Sequence, residues 1–216
     1  MEATTTAGSV PEFAPTKPMQ FVGPPLRLVG IVLLNLLFTI LTLGIYRFWA
    51  RTKVRRYLWQ NLEIEGEALE YTGRGLELFL GILLIAVTIF LPLILVSTAV
   101  GIFAGPVLYG LYQLVIYLVF VVLIGMGLYR ARRYRLSRTT WRGVRANQSG
   151  SSVEYGFRFL GNAMLIGLTL GWFGPASTAR LWAYRYNNTW FGNVPFRVSE
   201  ESGKGLYRRF AVAYLL

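Results

Sequence analysis

The chain has 216 residues, a hydrophobic share of 54%, a charged share of only 15% and a formal net charge of +12. That balance belongs to the membrane class rather than to soluble domains of this length, and the basic excess, gathered beside the apolar segments, reads as an orientation signal rather than a nucleic-acid footprint. The chain holds no Cys, His or Asp, which excludes disulfides, thiol chemistry, zinc sites and histidine bases.

Residues 1–18 are rich in proline and threonine and are expected to form a flexible leader. They lack the basic n-region and early apolar run of a cleaved signal peptide. Met19 to Gly23 resembles the end of a strand. The first apolar segment, uncharged from Leu28 to Tyr46, is just long enough to span a bilayer. Arg47, Arg51, Lys53, Arg55 and Arg56 follow, interleaved with Phe48, Trp49, Tyr57 and Trp59, a composition suited to the headgroup layer. Leu62 to Tyr71 alternates as a strand does, with Glu63 and Glu65 expected on one face, Leu62 and Ile64 on the other, and Gly66 at a turn.

From Leu78 to Tyr129 no side chain is charged. One lipid-spanning helix needs about 20 apolar residues, so this stretch suits two, with a turn among the small residues and prolines from Ser97 to Pro106. Both flanks of such a helical hairpin lie on one side. Arg132, Arg133, Arg135, Arg138, Arg142 and Arg145 come next, then a polar link from Asn147 to Ser152 and a fourth apolar segment from Phe159 to Phe173. The chain closes with Arg180, Arg185, a strand-like run from Thr189 to Val198 with a Gly192-Asn193 turn, a polar break from Ser199 to Gly205, and an amphipathic end too short to cross.

Parts of the sequence recur. Leu33, Asn35, Leu41, Thr42, Leu43, Gly44, Tyr57 and Asn61 align without gaps on Leu160, Asn162, Leu168, Thr169, Leu170, Gly171, Tyr184 and Asn188. A weaker copy pairs Arg56, Tyr57, Gly66, Gly73 and Glu77 with Arg133, Tyr134, Gly143, Gly150 and Glu154. The expected fold class is therefore an all-α polytopic membrane protein of four hydrophobic helices with internal repeats, carrying small β-hairpins and basic amphipathic segments at the cytoplasmic surface. Residues 19–216 form a single membrane domain, divided into a repeat unit at 27–75, a central helical hairpin at 76–129 and a repeat unit at 130–216. Two topologies stay open. In one, the first and fourth segments cross plainly, leaving Arg180, Arg185 and the basic tail on the outer side against the charge rule; in the other, both are re-entrant or oblique, broken near Gly44 and Gly171.

Leu41-Thr42-Leu43-Gly44-Ile45-Tyr46, Trp49-Ala50, Arg55-Arg56-Tyr57, Asn61, Gly66 and Glu70-Tyr71 resemble the YjgN-like family of bacterial inner-membrane proteins, whose function is unknown. The similarity extends through Arg133-Tyr134, Trp141-Arg142-Gly143, Leu168-Thr169-Leu170-Gly171, Pro175 and Asn188. Phe48 replaces a proline the family places before Trp-Ala, Ala176-Ser177 follows Pro175 where Trp-Ala is expected, and Arg138 replaces an asparagine. The resemblance implies a bacterial cytoplasmic-membrane location and supplies no reaction, substrate or site residues.

Asn35 and Asn162 sit mid-segment in equivalent copies, where an amide needs a partner in a low-dielectric medium. They serve either as interhelical glue or, with Gln113, as the lining of a solute path. Arg51, Arg55, Arg56, Arg133 and Arg142 are the candidates for anionic headgroups. Glu63, Glu65, Glu67 and Glu70 read as the solvated face of a hairpin rather than an acid-base pair. A non-enzymatic solute transport role is expected, with an anionic-lipid-binding or partner-binding scaffold as the alternative and a membrane-embedded enzyme third. The expected partners are the lipid bilayer with its anionic lipids and, compatibly, a second copy of the chain, with no nucleic acid, metal or cofactor.

Overall fold

The computed structural model describes residues 19–198 and 204–215. The leader expected over 1–18, and the polar break as far as 203, lie outside the described residues. Three helical hairpins stand on a layer of short antiparallel strands. The first hairpin is α1 (Pro25–Leu41) and α2 (Arg47–Gln60), preceded by β1 (Gln20–Phe21) and followed by β2 (Leu62–Ile64), β3 (Glu67–Ala68) and β4 (Glu70–Tyr71). The second rises through α3 (Gly75–Ile85), a π-turn at Ala86–Phe90 and α4 (Leu91–Phe103), and returns through α5 (Pro106–Ser137) to β5 (Thr139–Trp141) and β6 (Val144–Gln148). The third is α6 (Ser152–Leu168) and α7 (Gly174–Asn187), ending in β7 (Thr189–Phe191) and β8 (Val194–Pro195), with α8 (Lys204–Leu215) beyond.

The central hairpin forms as the uncharged stretch predicts. Its rising limb has 29 residues and its returning limb 32, and the most apolar part of each is left uncovered by the rest of the chain. At 1.5 Å per residue each limb is roughly 45 Å long, enough for a hydrocarbon layer of about 30 Å. Lipid is the cover that so much exposed apolar surface needs. Pro92 has no N–H to give to the helix ladder, and the π-turn just before it rephases the hydrogen bonds so that the limb continues. The basic segment after Arg130 is no separate element: α5 carries on through Arg135 to Ser137.

The outer apolar segments start and stop earlier than expected. α1 begins at Pro25 and ends at Leu41 rather than reaching Tyr46, and α6 begins at Ser152 and ends at Leu168 rather than running from Phe159 to Phe173. The reason is capping. Ser151 Oγ accepts from Glu154 N at 3.3 Å and starts α6. At the other end, Thr42 Oγ1 donates to Phe38 O at 2.7 Å and accepts from Tyr46 N at 2.9 Å, while Leu43 and Gly44 turn left-handed (φ 50° and 92°). Thr169 Oγ1 likewise donates to Leu165 O at 2.7 Å and accepts from Phe173 N at 3.0 Å, with Leu170 and Gly171 at 49° and 95°. The helix therefore closes before its apolar run does.

A three-stranded sheet has the order β1-β2-β3, and a five-stranded one β4-β5-β6-β7-β8, with every pair antiparallel. β4 immediately precedes the central hairpin and β5–β6 follow it, so its two feet share a sheet. β7 joins that sheet by pairing Thr189 with Gln148. The third hairpin thus returns to the end it left, and β7–β8 lie beside β6 instead of across the central hairpin's length. Glu65 is not on a strand face with Glu63: at φ 54° it forms the left-handed turn with Gly66, as Arg142 does with Gly143.

Tyrosines form the buried core at the sheet end. Buried Tyr129 and Tyr155 and half-buried Tyr184 meet in tilted ring contacts between α5, α6 and α7, with separations of 5.1 Å for Tyr129 and Tyr155, 5.7 Å for Tyr129 and Tyr184 and 5.8 Å for Tyr155 and Tyr184. α6 runs antiparallel up α5, from Arg130 Nε donating to Ser152 Oγ at 3.2 Å to the crossing of Gly125 and Gly156. A Cβ on Gly125 would stand 3.0 Å from Gly156 Cα, so the crossing depends on both lacking side chains.

Candidate functional site

The feet of the three hairpins are tied by one tyrosine each. Tyr57 Oη donates to the carbonyl of Pro24, the residue before α1, at 2.8 Å; Tyr134 Oη accepts from the N–H of Arg74, before α3, at 3.3 Å; and Tyr184 Oη accepts from the N–H of Ser151, before α6, at 3.3 Å. Two arginines close the junctions between hairpins: Arg56 Nη2 donates to Gly73 O at 3.2 Å, and Arg133 Nη2 to Gly150 O. Tyr134 and Tyr184 also reach Glu77 at 2.9 Å and Glu154 at 3.0 Å. The Arg158 guanidinium first, and Tyr184 after it, hold the Glu154 carboxyl below the usual carboxylate range; burial, then the bond to Glu154, pushes the Tyr184 phenol up to about 12.

The expected headgroup arginines therefore divide. Arg56 and Arg133 each give an N–H to a junction carbonyl and do not line the cavity that Arg51 and Arg55 face. Arg142 pairs with Glu65 at 3.1 Å and Glu67 at 3.2 Å, linking the tips of two β-hairpins. Arg51 and Arg55 face a different place, a cavity of about 720 Å³ between α1, α2 and α5. Val32, Asn35, Leu36 and Thr39 supply its α1 wall, and Ala50, Arg51, Val54, Arg55, Leu58 and Trp59 its α2 wall. Arg135 reaches in from α5. The lining contains three guanidiniums and no carboxylate, and the ion pairs among the described residues are made by Arg138, Arg142 and Arg158 instead.

Local contacts aim these cations. Arg55 Nη1 donates to Tyr71 Oη at 3.1 Å with its guanidinium 5.3 Å above that ring, and Arg135 Nε donates to Ala131 O at 3.3 Å. Among the described residues each gives a single N–H, of five, to a protein acceptor. Trp59 Nε1 donates to Thr139 Oγ1 at 3.1 Å, fixing the ring at the mouth. Such a groove, with three guanidiniums set among aliphatic walls, can hold an anionic group that carries an apolar tail.

The three polar residues expected to line one path are not brought together. Asn35 is buried in the α1–α2–α5 cavity. Asn162 lines a separate cavity of about 340 Å³ with Arg158, Arg180 and Leu181, and donates to Arg158 O at 2.7 Å. Gln113, on α5, donates to Tyr109 Oη at 2.7 Å within its own helix. Of the glutamates, Glu63 accepts from Gln20 at 3.0 Å and Glu70 from Thr140 at 3.3 Å, and none of the four lines the cavity. Arg135 and Trp59 are the site residues the sequence reading left out. Helical phase carries the signal: once α5 is known to continue to Ser137, Arg135 falls on a different face from Arg133.

Two lipid-length helices left bare by the chain, on a basic foot woven from short strands, define a helical membrane protein. The family model described as "Bacterial protein of unknown function (DUF898)" matches residues 16–216, and the chain belongs to that family. It is 33% identical over 156 residues to the inner membrane protein YjgN of Escherichia coli O157:H7, covering 71% of this chain and 37% of that protein. With YjgN of Escherichia coli K12 the identity is 34% over 131 residues, 61% of this chain and 31% of that protein. YjgN of Salmonella typhimurium is 35% identical over 77 residues, 36% of this chain and 20% of that protein. The matches thus cover about a third or less of each of these relatives' length. The YjgN-like resemblance in the sequence motifs is borne out. No solved structure matches the chain.

Proposed function

We propose that this is a multi-pass inner-membrane protein that binds an anionic phospholipid headgroup in the groove between α1, α2 and α5, through Arg51, Arg55 and Arg135. The observation that carries the reading is the lining itself: three guanidiniums without a carboxylate partner in a cavity otherwise walled mainly by apolar side chains. The relatives, named as inner membrane proteins, support that location, and the charge rule puts the basic foot in the cytoplasm.

In this reading four hydrophobic helices enter the bilayer, as part of a repeated unit made of a helical hairpin, a tyrosine tie and a β-hairpin. The matching φ pairs at Leu43-Gly44 and Leu170-Gly171 support the repeat, as do the three tyrosine ties. Only the central hairpin crosses. α1 and α6 have 17 residues each, about 26 Å, and their partners return carrying arginines. Their tips are Leu43, 96% exposed, and Leu170, 81% exposed; an apolar tip suits a re-entrant hairpin ending in lipid. A solute path through Asn35, Asn162 and Gln113 needs one cavity, and these residues lie in separate surroundings.

The test uses the full chain in detergent, with lipid retention followed by native mass spectrometry. Phosphatidylglycerol is expected to be retained over phosphatidylcholine, and joint replacement of Arg51, Arg55 and Arg135 by Gln is expected to weaken that retention by about tenfold or more. Equal retention of the two lipids by the parent protein, or an unaltered triple variant, refutes the proposal.

A further inference from the structure

Headgroup binding leaves one polar side chain in the groove unused. Asn35 is 6% exposed, and its Nδ2 is buried without an acceptor. The nearby hydroxyl of Thr39 is spent on Asn35 O at 2.6 Å, and the lining residues nearest in height, Val32 and Leu36 on α1 and Ala50, Arg51 and Val54 on α2, offer no side-chain acceptor. A buried amide donor is costly unless something accepts from it. Its place relative to the cations is set by the hairpin. α1 leaves the foot at Pro24, where Tyr57 ties it, and α2 returns there at Gln60. By backbone rise Asn35 therefore stands about 15 Å from the foot, Arg51 about 14 Å and Arg55 about 8 Å, so the Cα of Asn35 lies roughly 7 Å deeper than that of Arg55 and level with that of Arg51.

Resting on the lipid reading above, we infer that the groove selects a diacyl glycerophospholipid, with its phosphate between Arg55 and Arg135 and an acyl ester carbonyl accepting from Asn35 Nδ2. A phosphate on a glycerol backbone carries ester carbonyls a few bonds further in, at the boundary between headgroup and chains, and these are acceptors without charge. An ether-linked lipid keeps the anionic head but offers only ether oxygens, weaker acceptors than a carbonyl, and a polyprenyl phosphate has no acceptor below its phosphate. The arginines thus recognise charge and Asn35 recognises the linkage.

The full chain in detergent is offered dioleoyl phosphatidylglycerol and its diether analogue in competition, and retained lipid is read by native mass spectrometry. The parent protein is expected to prefer the diester by about five- to tenfold, the worth of one buried hydrogen bond. Asn35→Leu is expected to erase that preference while keeping selection against phosphatidylcholine. Asn35→Ser, whose hydroxyl is too short to reach, is read the same way should the leucine variant not fold. Equal binding of diester and diether by the parent overturns the inference, and so does a preference that survives both substitutions. In either case loss of both lipids in the Arg51→Gln, Arg55→Gln, Arg135→Gln variant leaves the headgroup reading standing. If that triple variant loses neither lipid, the headgroup reading fails and the ester inference falls with it.

Discussion

The crossing of α5 and α6 sets where the third hairpin stands, and Gly156→Ala tests it. A Cβ built on Gly156 would lie 2.8 Å from Met126 Cγ, 2.8 Å from Val122 O and 3.0 Å from Val122 Cγ1. The methionine can swing away, but the Val122 carbonyl belongs to the backbone of α5, so the helices must separate by about 0.6 Å to restore ordinary van der Waals contact. Overpacking of this kind costs about 1–3 kcal/mol, offset by at most about 1 kcal/mol from the better helix propensity of alanine. Gly161→Ala, on the same helix and facing open space, receives only the propensity gain. The two variants are therefore expected to differ by about 1–3 kcal/mol, or roughly 2–12 °C in melting temperature for a chain of this size. Thermal unfolding of the full chain in one detergent, followed by near-ultraviolet circular dichroism of the Tyr129, Tyr155 and Tyr184 cluster, measures the difference. If Gly156→Ala melts with or above Gly161→Ala, the close approach of α5 and α6 is not what seats the third hairpin.

The absence of native cysteine makes topology directly readable. Cysteines at Glu67, Val144 and Asn193, on the three β-hairpins, are expected to react with a membrane-impermeant thiol reagent from one side, and a cysteine at Phe103 from the other; labelling of position 193 opposite to position 144 contradicts a shared foot. Tyr184 predicts an alkaline limit. Its phenol titrates near 10 when unfolded and at about 12 when folded, so between these values the native state holds more protons and stability falls as pH rises, while below pH 10 the contribution is intact. Tyr184→Phe is expected to flatten that decline in denaturant midpoints measured from pH 9 to 11.5, and an unchanged slope shows that another group carries it.

How much could be read without coordinates differs by element. The uncharged run from Leu78 to Tyr129 sufficed for the central hairpin, because an unbroken apolar run of that length has no other stable place than lipid. The β-hairpin turns were legible at Gly66 and at Gly192-Asn193, where glycine supplies a left-handed backbone. The ends of α1 and α6 were not, because hydropathy continues past the point where Thr42 and Thr169 cap the helix and Gly44 and Gly171 reverse it. The arginines were the least legible. Arg51, Arg55, Arg56, Arg133 and Arg142 look alike in a sequence, and only their neighbours separate the two that face a cavity from the two that bond a glycine carbonyl and the one that pairs with glutamates.

The sequence by itself determined that this chain belongs in a membrane, that its central helices form a hairpin and that its basic segments lie beside them, since these follow from the free energy of moving each residue type out of water. Tertiary structure alone decided which cations face the cavity, that Asn35 is buried there and that all three hairpins stand on one foot. Those outcomes depend on helix phase, on caps and on strand pairs such as Gln148 with Thr189, which join residues far apart in the chain. No local propensity specifies such distant partners.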